Sequence, residues 1–251
     1  MIDAHIIGAG PVGCFSAIYA LKNGSDVLIS EEHGEIGLPV KCSGLISKRA
    51  INFFSQEINV KKAIKKQFNE ARLYFGKDKI ELKTKKPIYL IDRHIFDNVC
   101  AEKAEELGAK IELNKKITNN HRANTILGAD GPLSITADHF NFPKIRKFIA
   151  TQQTVIKDKD IDKDIIQLYL SSKHIPGFFG WVIPKNEEEI ELGVGVRIPN
   201  NSKKAMEYLK KKTGVKQNKQ DLKLIGGLIP HEIRKRTFKK AGNKNSGIFH
   251  P

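Results

Sequence analysis

Ala4-His5-Ile6-Ile7-Gly8-Ala9-Gly10-Pro11-Val12-Gly13 is the stretch that decides the fold. Ala4 to Ile7 is a short apolar run that reads as a strand, and Pro11 to Lys22 reads as a helix stopped by Asn23-Gly24. Val27-Leu28-Ile29 follows at once and ends at Ser30-Glu31, so about thirty residues spell strand, tight turn, helix, strand. A G-x-G-x-x-G in that setting is a dinucleotide fingerprint. Gly8 permits the tight turn, Gly10 lets backbone N–H groups approach a pyrophosphate, and Gly13 lets helix and strand pack closely; with Pro11 they form the expected cradle at a helix N-terminus. Glu31, 23 positions after Gly8, is placed to accept hydrogen bonds from ribose hydroxyls, and its charge would repel a 2′-phosphate, which disfavours NADP. NAD and FAD share the fingerprint, so this unit leaves both open.

Working outward, Asp92 is an N-cap candidate for a helix with Ile95, Phe96, Val99, Cys100, Ala104 and Leu107 on one face, closed by Gly108 and followed by a strand from Ala109 to Leu113. Thr125 to Leu127 is a further strand running into Gly128-Ala129-Asp130-Gly131. Leu73-Tyr74-Phe75 and Ile80 to Leu82, around Gly76-Lys77-Asp78, predict an antiparallel hairpin. From Thr151 to Ile198 the pattern is extended, with strands expected at Ile165–Leu170, Phe179–Ile183 and Ile190–Val196, and a helix over Ser202–Lys212. The fold class is therefore α/β (α+β over the whole chain): a Rossmann-like nucleotide-binding domain over 1–145, an inserted antiparallel substrate domain over 146–230 that the hairpin of about 71–90 joins, and a return to the first domain over 231–251.

The 251 residues suffice for a hydrophobic core without staples, and 40% hydrophobic residues argue against disorder. A net charge of +15 favours anionic partners of some kind. No RNP-like or zinc-finger pattern accompanies it, so nucleic acid is not expected. Cys14, Cys42 and Cys100 are widely spaced, and the histidines show no ligand spacing, so neither a disulfide framework nor a metal site is expected. No apolar run approaches the roughly 20 residues of a bilayer crossing, and the expectation is a cytoplasmic protein, peripheral on the inner face of the membrane.

Arg93 and Asp97 in Ile91-Asp92-Arg93-His94-Ile95-Phe96-Asp97, together with Gly128-Ala129-Asp130-Gly131, resemble flavin-contacting segments of para-hydroxybenzoate-hydroxylase-like FAD enzymes. Pro39-Val40-Lys41-Cys42-Ser43-Gly44-Leu45 resembles the P-x-x-C-x-G-L segment of the geranylgeranyl reductase family, and Phe179-Gly180-Trp181-Val182-Ile183-Pro184 with Gly193-Val194-Gly195 resembles its Y-x-W-x-F-P…G motif. Phe179 and Ile183 depart from that pattern, which usually has tyrosine and phenylalanine there.

The resemblance implies FAD as cofactor, held by the fingerprint residues with Cys42, Arg93, Asp97, Ala129, Asp130 and Gly131, and saturation of isolated C=C bonds in geranylgeranyl chains of archaeal-type lipids. Such alkenes need a proton as well as a hydride, so Cys42 is the expected catalytic thiol and Phe178, Phe179, Trp181 and Pro184 the expected apolar substrate wall. An external electron donor, ferredoxin or NAD(P)H, would be required. The resembled family continues into a third flavin segment, G-D-A-A-G, which is not found before the last residues 245–251. A gene fragment, a split gene whose second polypeptide supplies that part, and a shortened form are the three expectations, with the split or shortened form preferred. Other readings are a flavin monooxygenase or halogenase, and an inactive fragment or one subunit of a split flavoprotein.

Overall fold

A computed structural model describes residues 2–116, 123–158, 160–215, 224–240 and 247–249. In chain order the elements are β1 (Ile2–Ile7), α1 (Pro11–Lys22), β2 (Val27–Ser30), β3 (Leu45–Ser47), α2 (Lys48–Phe54), β4 (Ile64–Phe75), β5 (Asp78–Ile91), α3 (Arg93–Glu106), β6 (Lys110–Glu112) and β7 (Ala123–Gly128). Then come α4 (Ile135–His139), β8 (Phe148–Lys157), β9 (Ile165–Leu170), β10 (Gly180–Pro184), β11 (Glu189–Arg197), α5 (Ser202–Thr213), β12 (Ile225–Pro230), β13 (Phe238–Lys240) and β14 (Gly247–Phe249).

Six strands form the first sheet in the order β13-β14-β7-β1-β2-β6, parallel except for the β13/β14 pair. Parallel strands need both faces covered, and α1 and α3 supply one cover: Ile6, Ile18, Ile29 and Cys100 are buried together, with Phe15, Phe54 and Phe96 meeting edge-on at 4.8 and 4.9 Å. Asp92 caps α3 as its position suggests, accepting from the Ile95 N–H at 3.2 Å. Within residues 231–251, positions 241–246, 250 and 251 lie outside the described residues; 238–240 and 247–249 form two strands of the first sheet.

The second sheet has eight strands, ordered β12-β8-β11-β10-β9-β4-β5-β3, all antiparallel except β4 beside β9. Its hairpin strands run 12 and 14 residues, far beyond the short runs at 73–75 and 80–82. Lysines along β5 mask the alternation, because residues 78–87 lie on an outer edge: β3 covers only 88–90, and a charged edge discourages pairing with other chains. Side chains alternate across a strand, giving this sheet two characters. Val182, Ile190, Leu192, Val194 and Val196 pack with Ala205, Met206 and Leu209 of α5, while Trp181, Ile183, Ile166, Phe68 and Leu90 form a separate cluster on the opposite face.

Candidate functional site

The fingerprint glycines are fixed by packing in two cases and by open space in the third. Gly8 has φ +105, and a Cβ there would lie 2.5 Å from the Ala129 carbonyl oxygen; a Cβ on Gly13 would lie 1.9 Å from the Gly8 carbonyl oxygen. A Cβ on Gly10 meets nothing within 4 Å, so the approach to the N-terminus of α1 is clear where a pyrophosphate would sit. Pro11 opens that helix, where its missing N–H costs nothing. Glu31 braces the turn from the end of β2: one oxygen accepts the Ala9 N–H at 2.8 Å, and the other accepts the His33 N–H at 3.0 Å.

Ala129 and Asp130 act on this turn from below. The Ala129 N–H donates to the Ile7 carbonyl at 2.7 Å, fixing the end of β7 against β1. Both Asp130 oxygens are engaged by their own segment, accepting from the Ser134 hydroxyl at 2.6 Å and from the Thr136 N–H and hydroxyl at 2.9 and 3.0 Å. Gly131 makes the bend possible at φ +82. Asp130 therefore organises the start of α4.

Cys42 meets Arg93, which pairs with Asp97, although it lies 51 positions earlier in the sequence. Arg93 grips Asp97 with two parallel hydrogen bonds, Nε to Oδ1 at 3.0 Å and the outer nitrogen to Oδ2 at 3.1 Å, a bidentate geometry one helical turn apart. Burial pushes the Asp97 carboxyl above the usual aspartate value, outweighing the pull of Arg93. Burial works against the Arg93 charge, but the bonds to Asp97, with a smaller part from Cys42, raise its pKa on balance. Cys42 is the exposed thiol; Cys14 and Cys100 are buried. Desolvation pushes Cys14 up to about 12 and raises Cys100 as well, which makes both inert at neutral pH.

On the second sheet, Phe178 stacks on Phe179 at 4.1 Å between centroids, and Phe179 meets Trp181 edge-on at 6.0 Å. Two glycines of β11 make room for these rings: a Cβ on Gly193 would fall 2.2 Å from the indole, and one on Gly195 would fall 2.5 Å from Phe178. Pro184 does not belong to this wall. It pairs with Ile190, on the face that carries the core beneath α5, because it is one residue out of phase with Ile183 and three with Trp181.

Sequence reasoning missed the polar network that joins the two halves. Glu191, 2% exposed, accepts the Trp181 indole N–H at 2.9 Å and the Lys185 ammonium at 3.2 Å. Lys185 also donates to the Ser43 carbonyl at 3.1 Å, and the Ser43 hydroxyl reaches Gln153 at 3.5 Å. A signal was present: Glu191 is the charged residue within the strand run 190–196, on the same face as the two glycines.

The chain is 30% identical to an uncharacterised protein of Methanocaldococcus jannaschii over 84% of its own length and 60% of that protein's. It is 27% identical to the digeranylgeranylglycerophospholipid reductase of Methanosarcina acetivorans, over 77% and 54% of the two chains. Residues 148–229, from β8 to β12, match the model of the geranylgeranyl reductase catalytic domain. The chain is thus similar to the geranylgeranyl reductase family, through that catalytic-domain match and, at 27% identity, over most of its own length. A geranylgeranyl bacteriochlorophyll reductase-like protein from Thermoplasma acidophilum has the same fold, with a TM-score of 0.81 at 24% identity, covering 99% of this chain and 70% of that one. Geranylgeranyl reductases are FAD-dependent oxidoreductases, and the open approach at Gly10, the uncapped helix beyond it and the Arg93–Asp97 pair fit FAD as the cofactor. The chain spans between half and two thirds of the length of these curated relatives, 60% and 54%. Among the described residues no helix is long and apolar enough to cross a membrane, and no group of potential ligands could hold a metal ion.

Proposed function

We propose that this chain acts in the reduction of isolated C=C bonds in geranylgeranyl chains of an archaeal-type lipid. The observation that carries the reading is the exposed Cys42 thiol beside Arg93, on a segment that Lys185 ties to the Trp181 sheet. Reduced FAD, when bound, supplies the hydride, its electrons coming from an external donor of the ferredoxin or NAD(P)H type. The chain's own part is to bind, orient and protonate. Glu31 and the 8–13 turn hold the nucleotide end, with Ala129 and Asp130 shaping the floor of that turn. The Phe178, Phe179 and Trp181 rings offer an apolar surface to the polyprene, whose developing positive charge they tolerate. The Cys42 thiol gives its proton to the alkene carbon that does not receive the hydride; the thiolate left behind faces the Arg93 guanidinium and is reprotonated from solvent.

The same reading includes a lipid-facing surface. Phe75, Ile80 and Leu82 are exposed apolar residues at the tip and outer edge of the β4/β5 hairpin, among Lys77, Lys79, Lys83, Lys85 and Lys86. The end of α5 adds Lys210 to Lys212, with Lys212 donating to the Gly76 carbonyl at 3.0 Å. Apolar side chains ringed by lysines suit an anionic membrane surface.

The test is anaerobic turnover. The full chain, loaded with FAD and reduced with dithionite, is mixed with a geranylgeranyl glycerophospholipid, and mass spectrometry counts the added hydrogens. Two hydrogens per double bond, with loss of the reaction in Cys42→Ala, is expected. An unchanged lipid, or a product formed only with oxygen, overturns the reading, the second in favour of a monooxygenase.

A further inference from the structure

The ion pair between buried Glu191 and partly exposed Lys185 is not required by the packing of the sheet. On that face Trp181 and Ile183 are apolar and Gln153, opposite Gly193, is polar, and an ion pair with a buried member often stabilises no better than well-packed apolar residues of the same volume, which points to a role beyond the strength of the sheet. Here both charges point at the same outcome. Glu191 receives the Trp181 N–H on one oxygen and Lys185 on the other, and Lys185 carries the linkage 142 positions back along the sequence to the Ser43 carbonyl. The other side of that segment is fixed independently: the Ile91 N–H donates to the Gly44 carbonyl at 2.9 Å, and Gly44 packs so closely that a Cβ would lie 2.2 Å from the Ile91 oxygen. Cys42 immediately precedes these two attachments, its sulfur accepting the Gly44 N–H at 3.5 Å.

We propose that Glu191 and Lys185 are positioning residues that clamp the Cys42 segment against the Trp181 wall, so that the thiol and the substrate surface keep one fixed separation. Trp181, Glu191, Lys185 and Ser43 then form one mechanical unit spanning the two halves of the chain. A substrate that displaces the indole also pulls on the clamp. The functional meaning of the clamp rests on the reductase reading; its existence does not.

Hydrogen exchange on the full chain tests it without flavin or lipid, so a failure here is separate from a failure of the proposed reaction. Amide exchange is followed by mass spectrometry in peptides covering residues 40–45, 180–184 and 189–197. Lys185→Met removes the charged hydrogen bond to Ser43, and exchange at 40–45 is expected to speed up about tenfold. Because the single variant strands Glu191 as a lone buried carboxylate, Lys185→Met/Glu191→Leu removes both charges together; it must loosen 40–45 by a similar factor while the sheet peptides stay within about twofold. Lys185→Arg, which keeps a donor, is expected to restore protection. Unchanged exchange at 40–45 in both variants overturns the proposal, and so does faster exchange confined to the sheet peptides, which would make the pair a brace of β10 and β11 alone.

Discussion

Gly193→Ala is the sharpest probe of the aromatic wall, because the space it would fill is already occupied. The new Cβ would stand 2.2 Å from Cε2, 2.3 Å from Cζ2 and 2.6 Å from Nε1 of Trp181. Carbon atoms settle at about 3.5–4.0 Å, so the indole must retreat by more than about 1 Å. That movement breaks its 2.9 Å hydrogen bond to Glu191, whose carboxylate is buried. Overpacking costs about 1–3 kcal/mol, and a hydrogen bond to a charged group adds about 1.5–3 kcal/mol. The two share one displacement and do not add fully, so about 3 kcal/mol is expected. For a chain of this size that lowers the melting temperature by roughly 6–12 °C. Trp181 is the single tryptophan of the sequence, so its fluorescence reports this one location. Circular dichroism melts should show the loss of stability, and the emission of the folded variant should shift as the indole leaves its hydrogen bond. An unchanged melting temperature with unchanged emission would refute the packing of Trp181 over Gly193, and with it the wall.

Gly10→Ala should do the opposite, leaving the unfolding free energy of the flavin-free chain within about 0.5 kcal/mol of the parent, since its Cβ meets nothing within 4 Å, while weakening FAD uptake measured by flavin absorbance after gel filtration. The buried thiols set an alkaline limit: Cys14 and Cys100 keep their protons in the folded state above the ordinary value of 9.0, whereas the unfolded chain releases them. Stability is thus lost as pH rises through that value, by about 1.4 kcal/mol per pH unit for each thiol, and Cys14→Ala should flatten denaturant-derived stability against pH by about half; an unaltered slope would contradict it. Replacing Lys77, Lys85 and Lys86 by glutamine should weaken sedimentation with vesicles containing phosphatidylglycerol roughly 100-fold, with little effect on the weak binding to neutral vesicles.

The sequence announced the first half of the site more fully than the second, and the reason is geometric. The nucleotide turn is local: Gly8, Gly10, Gly13 and Glu31 lie in one βαβ unit, so their spacing alone carries the chemistry, and α1 and β2 fall where the apolar runs place them. Asp92 was likewise readable as a cap, because capping is decided within one turn of helix. The second sheet is assembled from pairings far apart in sequence. β4 lies parallel to β9 through Glu70↔Ile165 and its neighbours, and no local pattern encodes that choice. Pro184 was misplaced for the same reason: its motif neighbours point to a shared wall, yet a strand sends alternate residues to opposite faces, and only the register against Ile190 shows which face it takes. Lys185 and Ser43 stand at the extreme, since a side chain that donates to a backbone carbonyl 142 positions away leaves no trace in spacing. What was legible there was the anomaly, a glutamate inside an apolar strand on the same face as its glycines. A charge in that setting must have partners or unfold the strand, so Glu191 could have marked the junction even before its partners were known.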